Sequence, residues 1–284
     1  MEKRVRVAAL LAVLALLIGS VGCDKIKARD QLNKGVQSYK NGKYEEAIEH
    51  FKNSVTLDPS LVTARLYLGT AYMQLYVPGA DTDENNRAAK QAIEAFQSVL
   101  DAEKTPPEAK SHALKSIASL YYNMKDFDKS REYYLKVTQL DANDAESDYM
   151  LGVIAWADTY KTAADIKAKV GLKVDDPYVK DKEHQKACED VRAANADKIA
   201  SGLAALDKAL QIKPEYEDAM AYENLLYRRK ADVECGNPDA RTADLKAADD
   251  WTAKTLAMRQ AKAERQAQQG TGGITLDKPK DDDK

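Results

Sequence analysis

The sequence predicts an all-α protein, a solenoid of about five helical hairpins. Small residues return after 34 positions, from Gly35 to Gly69 and from Ala118 to Gly152, which indicates a repeated structural unit. Apolar residues within 47–57 recur at helical spacing, and no segment alternates with period two for long enough to form a convincing strand. Because one helical hairpin cannot bury its own apolar face, we expect neighbouring hairpins to stack.

The first hairpin is predicted within residues 28–61. Small side chains at Gly35 and Ala47 let two helices approach closely, Gly42 suits the end of the first helix, and Pro59 cannot continue the second. This pattern resembles the tetratricopeptide repeat (TPR), a helix–turn–helix unit of about 34 residues. The matching positions are Gly35, Gly42, Tyr44, Ala47, Phe51, Ser54 and Pro59.

Later segments carry further copies of the pattern. The resemblance is clear again in a third unit at 117–144 and covers roughly residues 28–260. A fourth unit opens at 149–156 and closes at 202–216, and a degenerate fifth unit opens at 218–231. The TPR resemblance therefore implies one elongated helical domain.

Two insertions interrupt the array. We expect residues 76–87 to form a lengthened loop in the second unit. The fourth unit contains a longer insertion, at about 157–196, in which a helix continues to Lys169, a turn follows at 171–177 and a new helix begins at Tyr178. This pattern predicts a helical hairpin extension, and a last long helix is predicted at Asp244–Gln266.

The N-terminus has the features of a bacterial export signal. A basic start precedes a short apolar run from Val7 to Ile18, and Gly22 stands directly before Cys23. The segment resembles a lipoprotein lipobox, although Ser20 replaces the usual Leu, and this resemblance implies that Cys23 is acylated. An uncleaved anchor helix from Val5 to Val21 and plain secretion are the alternatives.

These features divide the chain into four segments. Residues 1–22 are predicted as the signal peptide, 23–27 as a linker after the acylated cysteine and 28–268 as the TPR solenoid. The tail at 269–284 is Gly-rich and then charged, without an apolar period, and is predicted to be disordered.

Two further cysteines, Cys188 and Cys235, are predicted to form a disulfide. They lie where the extended helices of the fourth and fifth units overhang in the same direction, and an oxidising periplasm would permit the bond. A metal site is the rival interpretation, with His184, Cys188 and Cys235 as ligands and Asp175 or Asp176 as a fourth. Two unpaired buried thiols are the third possibility.

Composition and motifs argue against catalysis and against nucleic-acid binding. The chain contains none of the common nucleophile, phosphate-loop, dinucleotide or zinc-protease motifs. Its formal net charge of −3 at pH 7 differs from the basic balance of most nucleic-acid binders. We expect a non-enzymatic protein without a metal or cofactor.

The TPR resemblance implies a concave groove lined by the first helix of each unit. An aromatic and apolar stripe occupies the corresponding positions: Leu32, Val36, Tyr39, Met73, Tyr122, Tyr149, Val153 and Trp156. The stripe is flanked by Arg29, Lys115, Asn123, Arg228 and Arg229. Such a surface suits a peptide or a helix, and the alternative is that the chain's own insertions or last helix cover it.

One TPR subtype is unlike this chain. The domains that clamp the C-terminal carboxylate of chaperones use Lys and Asn where Leu32 and Val36 stand here. The leading hypothesis is a lipid-anchored scaffold on the periplasmic side of a membrane, which binds a protein or peptide of a cell-envelope complex. Resemblance to bacterial TPR lipoproteins of outer-membrane assembly and of type IV pili supports it, although the large insertion departs from both groups.

Two alternative functions use the same architecture. The first is a self-assembling structural protein whose groove is filled by its own chain or by a neighbouring subunit. The second is a metal- or ligand-binding enzyme of the envelope.

Overall fold

The computed structural model describes residues 23–270, and this part of the chain contains ten α-helices and no strand. The all-α solenoid fold predicted from the sequence is confirmed. The chain divides into two compact units, of which the first ends at Ala142 and the second begins at Asn143. The predicted signal peptide at 1–22 and nearly all of the predicted tail lie outside the described residues.

From residue 23 onward, unit 1 contains six helices in three consecutive hairpins. The helices are α1 (23–40), α2 (Tyr44–Leu57), α3 (Val62–Leu75), α4 (Asp83–Leu100), α5 (Pro107–Asn123) and α6 (Phe127–Leu140). Residues 23–27, predicted as a linker, are the first helical residues of α1.

Glycines let the two helices of a hairpin touch in unit 1. A Cβ atom added at Gly35 would lie 2.5 Å from the buried ring of Phe51, and one added at Gly69 would lie 2.8 Å from the buried ring of Phe96. Both rings therefore pack directly against the backbone of the preceding helix. The 34-residue interval between the two glycines is the sequence trace of this repeated contact.

Buried serines add a second repeated contact. Ser54 donates a hydrogen bond to the carbonyl of Ala28 at 2.7 Å, which joins α2 to α1. Ser130 donates to the carbonyl of Ala118 at 2.9 Å and joins α6 to α5 in the same way. Serine is small enough to fit between the two helices, and its buried hydroxyl still has a hydrogen-bond acceptor.

The predicted loop at 76–87 is shorter than expected, because α4 already begins at Asp83. Thr82 accepts a hydrogen bond from the backbone N–H of Asn85 and caps the helix, and the acidic first turn suits the positive end of a helix. The side-chain amide of Asn85 also donates to the carbonyls of Val77 and Ala80, at 2.9 and 2.7 Å. Residues 83–87 are therefore the first residues of a helix rather than the end of the predicted loop.

Up to residue 270, unit 2 contains four helices, three of them long. They are α7 (Ala145–Ala168), α8 (Lys182–Ile212), α9 (Glu217–Asp232) and α10 (Pro238–Gly270). The overlong α7 and α8 form the predicted helical hairpin extension. Glycine again allows close packing, since a Cβ atom added at Gly202 would lie 2.5 Å from the side chain of Ala155.

Two helices of unit 2 begin at other residues than the sequence predicted. The helix expected from Tyr178 begins at Lys182, because the Asp181 carboxylate caps it by accepting from the backbone N–H of His184 at 2.9 Å. The last helix was expected from Asp244 but begins at Pro238, a residue that is well suited to the first turn of a helix.

The extension is held together by polar contacts between α7 and α8. Asn195 is buried and donates to the carbonyl of Thr159 at 2.9 Å, and Lys198 forms an ion pair with Asp158 at 2.7 Å. These contacts lie beyond the standard length of a repeat and keep the two projecting helices paired.

Glu223 of α9 is a buried carboxyl group in unit 2. Its Oε1 atom has no hydrogen-bond partner among the described residues. Burial, assisted by the nearby charge of Asp207, raises the pKa of Glu223 to about 8. The folded unit therefore retains a proton on this side chain at neutral pH.

Replacing Gly35 with alanine is expected to destabilise unit 1. The added methyl group would collide with the fixed ring of Phe51, and overpacking of this kind costs about 1–3 kcal/mol. Urea titration followed by circular dichroism measures the change in the free energy of unfolding. Asn33→Ala, on the exposed neighbouring position, is the matched control, and equal stability of the two variants would contradict this account of the close approach.

The free energy of unfolding is expected to fall as pH rises toward 8, because Glu223 binds a proton more tightly in the folded unit. The unfolded chain loses that proton near the ordinary pKa of 4.5, whereas the folded chain loses it near 8, so the stabilisation is complete only below about pH 4.5. Glu223→Gln should reduce the fall in stability between about pH 5 and pH 8 and raise the urea midpoint at the upper end. Asp218→Asn, an exposed change on the same helix, controls for loss of charge, and an unaltered pH profile in Glu223→Gln would refute the assignment.

Candidate functional site

A cleft of about 440 Å³ lies entirely within unit 2. It is formed by α7, by the loop at 169–181, by the C-terminal half of α9 and by the start of α10. Its lining consists of Trp156, Tyr160, Asp175, Leu225, Arg228, Arg229, Asp232, Arg241 and Leu245. The cleft thus combines an aromatic and aliphatic wall with three guanidinium groups and two carboxylates.

Aromatic side chains form the wall on the α7 side. Trp156 and Tyr160 are one helical turn apart, with ring centroids separated by 5.4 Å. The other side of Trp156 packs edge-on against Tyr222 of α9 at 5.7 Å, and Tyr222 in turn contacts Tyr149 at 5.6 Å. This cluster fixes the orientation of the indole ring before any ligand arrives.

Arg229 lies at the base of the cleft and is almost fully buried. One side-chain nitrogen, Nη2, donates to Asp175 at 2.5 Å, and the guanidinium lies over the ring of Tyr160 with 5.6 Å between its carbon and the ring centroid. The other nitrogen, Nη1, makes no hydrogen bond within the described part of the chain and lies 3.8 Å from Asp232. The site therefore contains a buried cationic donor that is only partly satisfied.

Lys167 is buried beside the cleft and holds the loop at 169–181 against the end of α9. Its side chain is 0% exposed, and its ammonium donates to Asp232 at 2.8 Å and to the carbonyl of Val174 at 2.7 Å. The same ammonium lies 4.4 Å from the ring centroid of Tyr178, and burial raises the pKa of the Tyr178 hydroxyl. These contacts anchor the loop at 169–181 to the end of α9.

A disulfide between Cys188 and Cys235 closes the far side of this region, so the predicted bond is confirmed. The two Cα atoms are 5.8 Å apart, and Arg192 adds a hydrogen bond from Nε to the carbonyl of Val233 at 2.6 Å. Because both cysteines are in the disulfide, neither has a free thiol to act as a ligand in the alternative metal site. His184, its proposed third ligand, bonds through Nδ1 to Asp181 at 2.6 Å.

The predicted groove residues are distributed over both units. In unit 1, four of them are partly buried and pack against the core that contains Phe51 and Phe96: Leu32, Val36, Tyr39 and Met73. Tyr122 packs against Phe127, with ring centroids 5.8 Å apart, and partial burial raises the pKa of its hydroxyl. These side chains support the hairpins of unit 1 as well as facing its surface.

In unit 2, the three predicted groove residues have different environments. Val153 is buried and Tyr149 belongs to the aromatic cluster with Tyr216 and Tyr222, whereas Trp156 alone among them lines the cleft.

Sequence reasoning did not single out Tyr160 or Arg241, and it considered Asp175 only as a metal ligand. The spacing of Trp156 and Tyr160 by four residues was the signal for a shared helical face.

Two family models match the chain. A TPR repeat model matches residues 35–75, and a tetratricopeptide repeat model matches residues 112–144. The first match lies within unit 1, and the second lies there except for its last two residues.

The chain contains tetratricopeptide repeats. Comparison with curated proteins finds no significant match. The repeat fold is typically non-catalytic, and no enzymatic family is indicated. The fold supports a scaffold for interactions with other proteins.

Solved structures similar to this TPR protein share its fold at low sequence identity. A crystal structure of MamA protein is 17% identical, with a TM-score of 0.55, over 89% of this chain and 98% of the other. MamA 41-end from Desulfovibrio magneticus RS-1 is 14% identical, with a TM-score of 0.52, over 83% and 96%. YrrB, described as a TPR protein with an unusual peptide-binding site, is 14% identical over 82% and 90%, with a TM-score of 0.46.

Within residues 23–270, no helix has both the length and the apolar character required to cross a bilayer. The acylation site predicted at Cys23 is an exposed residue at the start of α1.

Removing the disulfide is expected to destabilise unit 2. The bond closes a loop of 46 intervening residues, so the double variant Cys188→Ala, Cys235→Ala should lose about 3–4 kcal/mol in the chain-entropy model. Thermal unfolding, with and without a reductant, measures the loss. The unreduced, denatured chain should react with a thiol reagent at neither cysteine, and labelling at both would show that the bond does not form.

Proposed function

We propose that this TPR protein is a non-catalytic scaffold that is exported, anchored to a bacterial membrane through acylated Cys23, and bound to a protein or peptide of the cell envelope. The general role, a scaffold for protein interactions, is supported by the TPR fold. The location and the nature of the partner rest on the sequence and on unit 2.

The export part is supported by the N-terminal pattern and by the cysteines. A basic start, a short apolar run and a small residue before Cys23 are typical of exported lipoproteins. The Cys188–Cys235 bond is consistent with an oxidising compartment, where such bonds persist. Since Cys23 is exposed and begins a helix, an acyl group there would not disturb the hairpins.

The binding part is carried by the cleft of unit 2. An oriented Trp156 beside exposed Tyr160 offers an apolar anchor point, and Arg229 offers a buried donor that is partly unsatisfied. Aromatic and arginine side chains are the residues that most often dominate the energy of protein interfaces.

Self-assembly is the second candidate, and one observation favours it. Most predicted groove residues pack against their own unit, as Tyr39 and Met73 do in unit 1 and Tyr149 does in unit 2. If the predicted groove residues are occupied by contacts within their own unit, association with a second copy of the chain would use other surfaces. Size-exclusion chromatography with light scattering separates the candidates, because a stable closed oligomer would favour assembly.

Replacing Cys23 with serine is expected to release the protein from the membrane. Without the thiol no acyl chain can be added, and the remaining chain has no basic excess to attract anionic lipid. Labelled palmitate and membrane fractionation give the readout, with the double variant at Cys188 and Cys235 as a control that keeps Cys23. Palmitate labelling that persists in Cys23→Ser would contradict the anchor.

Partner binding is testable by a photo-crosslinker placed at Tyr160 in living cells. The same crosslinker at Leu135, an exposed residue of unit 1, is the control, and a discrete adduct is expected only from Tyr160. Trp156→Ala should abolish that adduct. The same set of adducts from both positions would argue against the cleft as the binding site.

A further inference from the structure

We propose that the cleft of unit 2 recognises a carboxylate of an acidic peptide segment, and that Asp175 of the chain's own loop occupies this position until a partner replaces it. This inference rests on the proposed scaffold function and names the chemistry of the partner.

The Arg229–Asp175 ion pair is asymmetric. The side chain of Arg229 is 10% exposed, whereas that of Asp175 is 72% exposed. Separation of the pair would leave the carboxylate of Asp175 in water, where it is readily hydrated, but would leave the buried guanidinium without its acceptor. Arg229 therefore favours an acceptor at Nη2, whereas the exposed Asp175 does not depend on Arg229 for its solvation.

Asp175 indicates which ligand fits. Its carboxylate accepts from Nη2, the nitrogen that faces the exposed side of the pair, while Nη1 is buried and lies 3.8 Å from Asp232 without a hydrogen bond in the described chain. An incoming carboxylate would accept from Nη2 in place of Asp175, in the charge-assisted hydrogen bond that arginine forms with carboxylates. A planar carboxylate already occupies the site, which favours an acidic side chain or a chain terminus as its replacement.

Charge around the cleft is complementary to such a ligand. Asp232, the other carboxylate in the lining, is neutralised from behind by the ammonium of Lys167 at 2.8 Å. Arg241 forms no ion pair with any other described residue, and Arg228 contacts only the exposed carboxylate of Asp249 and the side chain of Asn224. Arg241 is therefore available to an anionic segment, whereas Arg228 is already paired with Asp249 at 2.9 Å.

The apolar wall adds a second requirement. Trp156 and Tyr160 on one side and Leu225 and Leu245 on the other line the same cleft as the arginines. A peptide that alternates acidic and large apolar residues would meet both features, whereas a purely acidic peptide would meet only the charge.

The loop around Asp175 is held by contacts that do not involve this residue. Val174 is fixed by Lys167, and Asp176 accepts from the backbone N–H of Lys173 at 2.8 Å. Displacing the side chain of Asp175 would therefore leave the loop anchored. The neighbouring Asp176 also provides a matched control, because it has the same charge but its carboxylate accepts from the backbone of Lys173 rather than from Arg229.

The test uses the purified full chain in mild detergent and a fluorescent octapeptide that alternates Asp with Leu and Phe. Fluorescence anisotropy measures its affinity, and a matched peptide with Asn in place of Asp is the control ligand. We expect the acidic peptide to bind and the Asn peptide to bind about tenfold more weakly or not at all. Equal affinity of the two peptides would overturn the proposal.

Variants of the chain test the displacement itself. Asp175→Asn should tighten binding of the acidic peptide about threefold or more, because the internal competitor is gone, while Asp176→Asn should change it little. Equal gains from the two variants would indicate general electrostatics and refute displacement. Arg241→Gln should weaken binding about fivefold, with Arg265→Gln on the same helix as the control.

Folding is checked independently, because Arg229→Gln would remove a buried guanidinium that contacts Asp175, Asp232 and Tyr160. Circular dichroism identifies a variant that unfolds, and the exposed Asp175 and the half-buried Arg241 supply the decisive measurements. If the acidic peptide fails to bind both the wild type and Asp175→Asn, the carboxylate proposal is wrong. If the Tyr160 crosslinker still captures a partner in that case, the scaffold function stands on its own.

Discussion

The direct packing of a large side chain against the backbone of its partner helix is the contact on which both units depend. Phe51 rests on Gly35 and Phe96 rests on Gly69, and in unit 2 Leu206 rests on Gly152 in the same manner. Each contact places two helix backbones closer than any other residue would allow. The short distance brings the remaining apolar side chains into one core per unit, so the regular spacing in the sequence follows from one repeated steric requirement.

Unit 2 adds a second constraint, a pair of charges inside the protein. Burying an ammonium such as that of Lys167 is costly, and the partner carboxylate of Asp232 offsets the cost only because the geometry and the added carbonyl of Val174 are favourable. Such a buried ion pair contributes little net stability, but it restricts the relative positions of the segments that carry its two charges. It determines where the loop at 169–181 lies, and therefore brings Asp175 to Arg229.

The candidate site is built largely from parts that depart from the repeat. Tyr160 and Asp175 belong to the insertion, and Arg241 lies on the final helix. A repeat supplies a rigid helical frame that many proteins share, whereas an insertion can carry side chains particular to one protein. The disulfide joins Cys188, in the inserted part of α8, to Cys235, which follows α9 of the repeat frame.

The sequence by itself determined the helical class, the paired hairpins and the extended fourth unit, because small residues and apolar periodicity are local requirements with a fixed interval. It also identified Cys188 and Cys235 as a pair, since helix lengths can be counted. It placed helix starts less well: Asp83 and Lys182 begin helices through caps that depend on the exact residue before them. Only the tertiary structure decided that Trp156, Arg229 and Asp175 share one cleft, because residues 19 to 73 positions apart meet through packing, and no local pattern records that distance.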